Sequence, residues 1–125
     1  MATGLYIDDI FKMPFTRGNY EKKLPGHTLI LASSGKEGLE MLANQPVDML
    51  FLDWKMPYMS GEDVLREMAR RGLGVPVVVC SSEDREEITK GVAASGYKRV
   101  KAVNSKLSPQ EMWVYLENIS ANALP

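Results

Sequence analysis

A chain of 125 residues is long enough for one compact domain with a real core. It is 45% hydrophobic and 25% charged with a formal net charge of −1, so there is no basic excess for holding nucleic acid. Its apolar runs are too short to cross a bilayer, and its single cysteine, Cys80, excludes an internal disulfide. No basic segment followed by an apolar core opens the chain, so no signal peptide is expected and the expected compartment is the cytoplasm. With no repeat, low-complexity tract or linker, residues 1–125 read as one domain.

Gly4-Leu5-Tyr6-Ile7 is a brief apolar run, a first strand, and it ends in Asp8-Asp9. A helix is expected from about Met13 to Leu24, with Pro14 tolerable only in its first turn and Gly18 weakening its middle. Pro25-Gly26 stops it, and His27 to Ala32 forms the second strand. Ser34 and Glu37 have the spacing of a capping box for a second helix, which runs to about Asn44 before Pro46. The third strand is the most informative stretch. Met49-Leu50-Phe51-Leu52 is continuously apolar, as in a strand buried on both faces, and it stops abruptly at Asp53.

Ser60 is expected to cap the third helix, with Glu62 and Asp63 favouring its positive end and Gly72 closing it. Val75 to Cys80 is another buried strand, followed by Ser81-Ser82 and a helix over about Glu83 to Ala94 that stops at Gly96. Arg99 to Asn104 alternates polar and apolar residues, which suits an edge strand. Ser108-Pro109-Gln110-Glu111 opens the fifth helix, with Met112, Tyr115, Leu116 and Ile119 facing inward and Trp113 facing away.

Five strands alternating with five helices imply an α/β domain, a doubly wound parallel sheet with helices on both faces. All strand carboxyl ends then lie along one edge, which is where such sheets bind ligands. That edge collects Asp8, Asp9, Asp53, Ser81 and, before the fifth helix, Lys106. Three carboxylates packed together repel unless a cation compensates them. Mg²⁺ is the natural candidate, because it takes oxygen ligands and one or two carboxylates beside a phosphate. An aspartate can also attack a phosphoryl group to form an acyl phosphate, with a lysine and a hydroxyl steadying the transferred oxygens. Plainer roles fit the same residues one at a time: Asp8 and Asp9 as helix caps, Ser81 or Ser82 as the cap of the fourth helix, and Lys106 as a solvated lysine.

The chain resembles the receiver domain of two-component response regulators over nearly its whole length. The resemblance rests on Tyr6-Ile7-Asp8-Asp9, on Leu52-Asp53-Trp54-Lys55-Met56-Pro57-Tyr58-Met59-Ser60-Gly61, on Pro76 to Ser81, and on Lys106 to Glu111. It implies a flavodoxin-like (βα)5 fold with strand order 2-1-3-4-5. It implies Asp53 as phosphoacceptor, Asp9 as main Mg²⁺ ligand with Asp8 acting through water, and the Lys55 carbonyl as a further ligand. Ser81 and Lys106 would touch the phosphoryl oxygens. The implied donor is a phosphohistidine on a sensor histidine kinase or phosphotransfer protein, with small acyl phosphates as substitutes. The expected output is a changed protein contact, and Trp113, facing away from the core, is the residue that would mark a partner or homodimer surface formed by the fourth helix, fifth strand and fifth helix. Such a domain would be an acceptor with slow self-dephosphorylation, not a conventional enzyme.

Three departures from the family pattern stand out. Leu107 occupies the place of a cis-linked proline, and a cis bond before leucine costs roughly 3–4 kcal/mol, so trans is expected. The Gly96–Lys106 segment is longer than usual, which makes Lys101 a rival to Lys106. Val103 stands where a switching aromatic is common. Two other readings follow: a pseudo-receiver that binds partners without phosphorylation, and a phosphatase with an aspartyl-phosphate intermediate. The second is weakened by Lys55, because those enzymes carry another Asp at that position. Lys55 and Glu83 are expected to rim the pocket, either pairing to hinder water or lying solvated. Cys80 reads as a small buried hydrophobe. No output domain is expected after the fifth helix, which would fit a stand-alone regulator or a receiver excised from a longer protein.

Overall fold

The computed structural model describes residues 1–21 and 25–122. Its elements run β1 (Thr3–Ile7), a 3-10 turn (Asp9–Lys12), α1 (Pro14–Glu21), β2 (Thr28–Ala32), α2 (Gly35–Asn44) and β3 (Met49–Leu52). They continue with α3 (Gly61–Arg70), β4 (Val77–Cys80), α4 (Arg85–Ser95), β5 (Val100–Asn104) and α5 (Pro109–Asn122). The strands form one parallel sheet in the order β2-β1-β3-β4-β5. This is the flavodoxin-like α/β architecture expected from the alternation and the resemblance.

Period-two alternation along the strands divides the core between the two faces of the sheet. Leu5, Ile7, Leu50, Leu52, Val77 and Val79 pack on one face with Leu39, Val64, Leu65, Met68 and Ile88 from α2, α3 and α4. Tyr6, Phe51, Val78 and Cys80 point the other way, onto Phe11 and onto Met112 and Leu116 of α5. β3 and β4 are buried at every position because both faces are covered.

Several local expectations are refined. The first helical segment is split: Asp8 caps a 3-10 turn by accepting from the Ile10 N–H, and α1 starts after Met13 with Pro14 in its first turn. The expected end of that helix, residues 22–24, lies outside the described residues. Ser34 caps α2, but the reciprocal bond from Glu37 falls on the Ser33 N–H, one residue earlier than a standard capping box. Ser60–Asp63 and Ser108–Glu111 form the full reciprocal pair. α4 begins at Arg85 with Asp84 as its cap, so neither Ser81 nor Ser82 caps it.

The helix glycines give a paired test. A Cβ on Gly38 of α2 would lie 2.2 Å from Cδ1 of the fully buried Ile7, whereas a Cβ on Gly18 of α1 meets nothing within 4 Å. Gly38→Ala is expected to lose about 1–3 kcal/mol to overpacking, less the gain in helix propensity, and Gly18→Ala to gain about 0.5–1 kcal/mol. Chemical denaturation of the two variants reads both signs.

Candidate functional site

Strand register builds the site before any side chain is considered. Ile7 pairs with Leu52, and the ladder continues one step beyond both strands through the Asp53 N–H donating to the Ile7 carbonyl at 2.9 Å. The Asp8 N–H donates to the Ala32 carbonyl at 3.0 Å, and the Ser81 N–H to the Asn104 carbonyl at 2.9 Å. Asp8, Asp53 and Ser81 therefore stand at the carboxyl ends of β1, β3 and β4, tied to the sheet. Asp9 opens the 3-10 turn beside them.

Among the described residues, Asp8, Asp9 and Asp53 each bring a carboxylate oxygen within 4.8 Å of the others. Asp8 is fully buried and Asp53 is 6% exposed. Oδ1 of Asp8 accepts from the Ile10 N–H at 3.1 Å, so its capping role and its place in the acidic cluster coexist. Oδ2 of Asp8 accepts from the Tyr6 hydroxyl at 2.9 Å and from Lys106 Nζ at 2.5 Å. Asp53 Oδ1 accepts from the Trp54 N–H at 2.9 Å and lies 3.0 Å from Lys106 Nζ.

The electrostatics follow from this crowding. Burial, then the Asp8 charge, raises the Asp53 carboxyl from 3.8 to about 6, against the opposing pull of Lys106 and the Trp54 N–H. Burial works against the Lys106 ammonium, but its hydrogen bonds and charge pairing with Asp8 and Asp53 outweigh it and hold its pKa above the ordinary lysine value.

Lys106, not Lys101, reaches the carboxylates. Val77 pairs with Val100 and Val78 with Ala102, so Lys101 is the extra residue of a β-bulge, and it is exposed. The bulge absorbs part of the extra length before Lys106. The described residues contain no cis peptide bond, so Lys106–Leu107 is trans; Leu107 is buried among Phe11, Met112 and Leu116.

The Ser81 hydroxyl accepts from the Glu83 N–H at 3.2 Å, and its side chain is buried. Val103 packs on the α3–α4 side of the sheet and, with Ser81, Ile88 and Asn104, lines a cavity of about 280 Å³. Lys55 Nζ lies 3.8 Å from Glu83 Oε2, and the Lys55 side chain is 78% exposed. Trp113 is not the free surface residue expected: it is half-buried, its Nε1–H donates to the Pro25 carbonyl at 2.8 Å, and its ring lies edge-on to His27. Val114 is an exposed large apolar residue of α5. Cys80 is buried and its thiol is pushed up to about 12, chiefly by burial, which makes it inert.

Sequence reasoning overlooked Tyr6. Its hydroxyl was readable in principle, because positions two apart on a strand share a face and Tyr6 precedes Asp8 by two.

The donor set is all oxygen, with two carboxylates too buried to be screened by water, and it suits a small hard cation such as Mg²⁺. No helix among the described residues is long and apolar enough to cross a membrane.

Comparison with known proteins gives the family and the fold. Residues 7–106 match the family model described as the response regulator receiver domain. The response regulator SaeR of Staphylococcus aureus (strain USA300) is 29% identical over 94 residues, covering 75% of this chain and 40% of that protein. The chain thus spans about 40% of the length of the curated relatives it matches. Among solved structures, the Francisella response regulator 1452 receiver domain aligns with a TM-score of 0.74 at 23% identity, over 99% of this chain and 100% of that one. The response regulator protein TrrA of Thermotoga maritima, solved in complex with Mg²⁺-BeF, aligns with a TM-score of 0.72 at 20% identity, over 95% and 99%. A parallel sheet ordered 2-1-3-4-5 with an acidic cluster at its carboxyl edge, matched by that family model over 7–106, places this chain among the receiver domains of two-component response regulators.

Proposed function

We propose that this domain accepts a phosphoryl group on Asp53 from a phosphohistidine of a sensor histidine kinase or phosphotransfer protein, and relays the change through its protein contacts. The observation that carries the reading is the convergence of Asp8, Asp9 and Asp53 within 4.8 Å, with Lys106 at 3.0 Å from the acceptor carboxylate. One carboxylate oxygen of Asp53 attacks phosphorus, the P–N bond breaks, and the imidazole leaves with the bond's electron pair and takes up a proton. The product is an acyl phosphate. Lys106 and the Ser81 hydroxyl sit at neighbouring strand ends, where they can turn to the new phosphoryl oxygens. Asp8, Asp9, Asp53 and the Lys55 carbonyl would hold Mg²⁺, which when bound neutralises charge on the phosphoryl group. The acceptor is used up in each cycle and regenerated by hydrolysis, so the domain acts as a switch and not as a conventional enzyme. Its output surface is assigned to α4, β5 and α5, toward a downstream protein or a second copy.

Incubation with acetyl phosphate and Mg²⁺ followed by intact mass tests the reading. The expected result is a single added phosphoryl group. No added mass would favour the pseudo-receiver, an interaction module with this fold and no phosphorylation, for which Val103 and Leu107 are the motivating residues.

Lys55 and Glu83 bridge the mouth and are assigned to slowing attack of water on the acyl phosphate. Lys55→Ala is expected to shorten its lifetime about two- to fivefold, the scale of an exposed pair. An unchanged lifetime would reduce the pair to solvated surface charge.

A further inference from the structure

Lys106 carries the positive charge of the site, yet Ser105 to Ser108 belongs to no helix or strand. Something outside that loop must hold the ammonium in place. Two tyrosine hydroxyls do so from either side. The Tyr6 hydroxyl donates at 2.9 Å to Asp8 Oδ2, the same oxygen that receives Lys106 Nζ. The Tyr20 hydroxyl, on α1, donates at 3.2 Å to the carbonyl of Leu107, the peptide immediately after Lys106. The two rings meet edge to face at 5.5 Å, and both meet Phe11 the same way, at 4.9 and 5.4 Å. Three rings locked edge to face form a stiff wedge between β1, α1 and the Lys106 loop.

We propose that Tyr6 and Tyr20 are positioning residues for Lys106, one fixing the carboxylate it pairs with and the other fixing the peptide that follows it. This rests on the phosphoacceptor reading and adds how its cation is aimed. When Lys106 turns toward a phosphoryl group on Asp53, it withdraws from Asp8 Oδ2. Asp8 is fully buried, and losing its last donor on that oxygen would oppose the movement. Tyr6 remains as that donor, so the ammonium can be exchanged between two partners without stranding a buried charge. Tyr20 limits how far the backbone travels meanwhile.

Tyr6→Phe and Tyr20→Phe keep the ring wedge and remove only the hydroxyls. Tyr97→Phe is the comparison, because it deletes a hydroxyl bonded to the Val75 carbonyl at the opposite end of the sheet. Two readouts are compared: phosphorylation by acetyl phosphate with Mg²⁺, and hydrogen exchange of the Lys106 ammonium by NMR in the protein without Mg²⁺. Tyr6→Phe is expected to lower the saturating phosphorylation rate about tenfold with little change in the half-saturating acetyl phosphate concentration, as for loss of a hydrogen bond to a charged group, and Tyr20→Phe about fivefold, as for loss of one to a neutral carbonyl. Exchange of the Lys106 ammonium is expected to speed up by the same factors, while Tyr97→Phe changes neither readout. Lys106 exchange within twofold of the wild type in both site variants would overturn the proposal, whatever the phosphorylation result. A wild-type protein that takes up no phosphoryl group would instead overturn the function proposed above, and the exchange readout would still decide the role of the tyrosines.

Discussion

Asp53→Asn is expected to end phosphoryl uptake and at the same time to make the protein more stable at neutral pH. Loss of uptake follows because an amide oxygen is too weak a nucleophile to form the acyl phosphate. The stability gain follows from the sign of the acid shift. The Asp53 carboxyl sits near 6 in the folded protein, against 3.8 ordinarily, so the unfolded chain releases this proton first as pH rises. Between about pH 4 and 6 the folded state therefore holds more protons, and its stability declines as pH rises through that window. Below 3.8 both states are protonated and the charge costs nothing. The gap corresponds to on the order of 2–3 kcal/mol above pH 6, an upper limit for what the substitution returns. Asn keeps an acceptor for the Trp54 N–H and removes the repulsion with Asp8. Denaturant titrations in chelator should show Asp53→Asn more stable than the wild type at pH 7.5, with the two converging by about pH 4. A gap that widened toward low pH would contradict the assignment.

Lys106→Met is expected to act in the opposite sense on stability and in the same sense on phosphorylation. Its removal leaves the fully buried Asp8 and the nearly buried Asp53 without their shared cation, 2.5 and 3.0 Å away. Breaking a buried pair costs several kcal/mol, but the Lys106 side chain is 40% exposed, so solvent reduces the loss to about 1–3 kcal/mol. The Asp53 carboxyl then rises further, so the deficit should be greatest at neutral pH and shrink as pH falls and Asp53 protonates. Mg²⁺, as a ligand of the folded state alone, should restore more stability to the variant than it adds to the wild type. Phosphorylation by acetyl phosphate should slow about 100–1,000-fold, the usual consequence of removing one group that stabilises developing charge in a transition state. Lys101→Met, at the exposed bulge, should change neither property, which separates the two lysines directly.

Much of this site was legible because its geometry is a matter of strand ends. The continuous apolar run Met49–Leu52 ending at Asp53 marks a buried central strand, and Tyr6-Ile7-Asp8-Asp9 marks another. Parallel pairing then brings the two tips together whatever the intervening helices do. Helix ends were readable where Ser60, Ser108, Gly72 and Gly96 carry the capping chemistry. What escaped depended on contacts between distant residues. The start of α1 moved because the chain first needs a 3-10 turn capped by Asp8. The Trp113 ring is partly covered because Pro25 and His27, far away in sequence, supply a carbonyl and a ring contact. The bulge at Lys101 has no local signal, since it answers to the pairing of β5 with β4. The Tyr20 hydroxyl meets Leu107 across most of the chain, which no periodicity could announce.

Diffraction from crystals grown with Mg²⁺ and beryllium fluoride is the deciding experiment for the shared site. One Mg²⁺ is expected within the Asp8–Asp9–Asp53 cluster, with a fluoroberyllate on the Asp53 carboxylate and Lys106 Nζ turned from Asp8 to a fluorine. An Asp53 free of fluoroberyllate, with Asp9 and Asp53 turned apart and no ion between them, would contradict it.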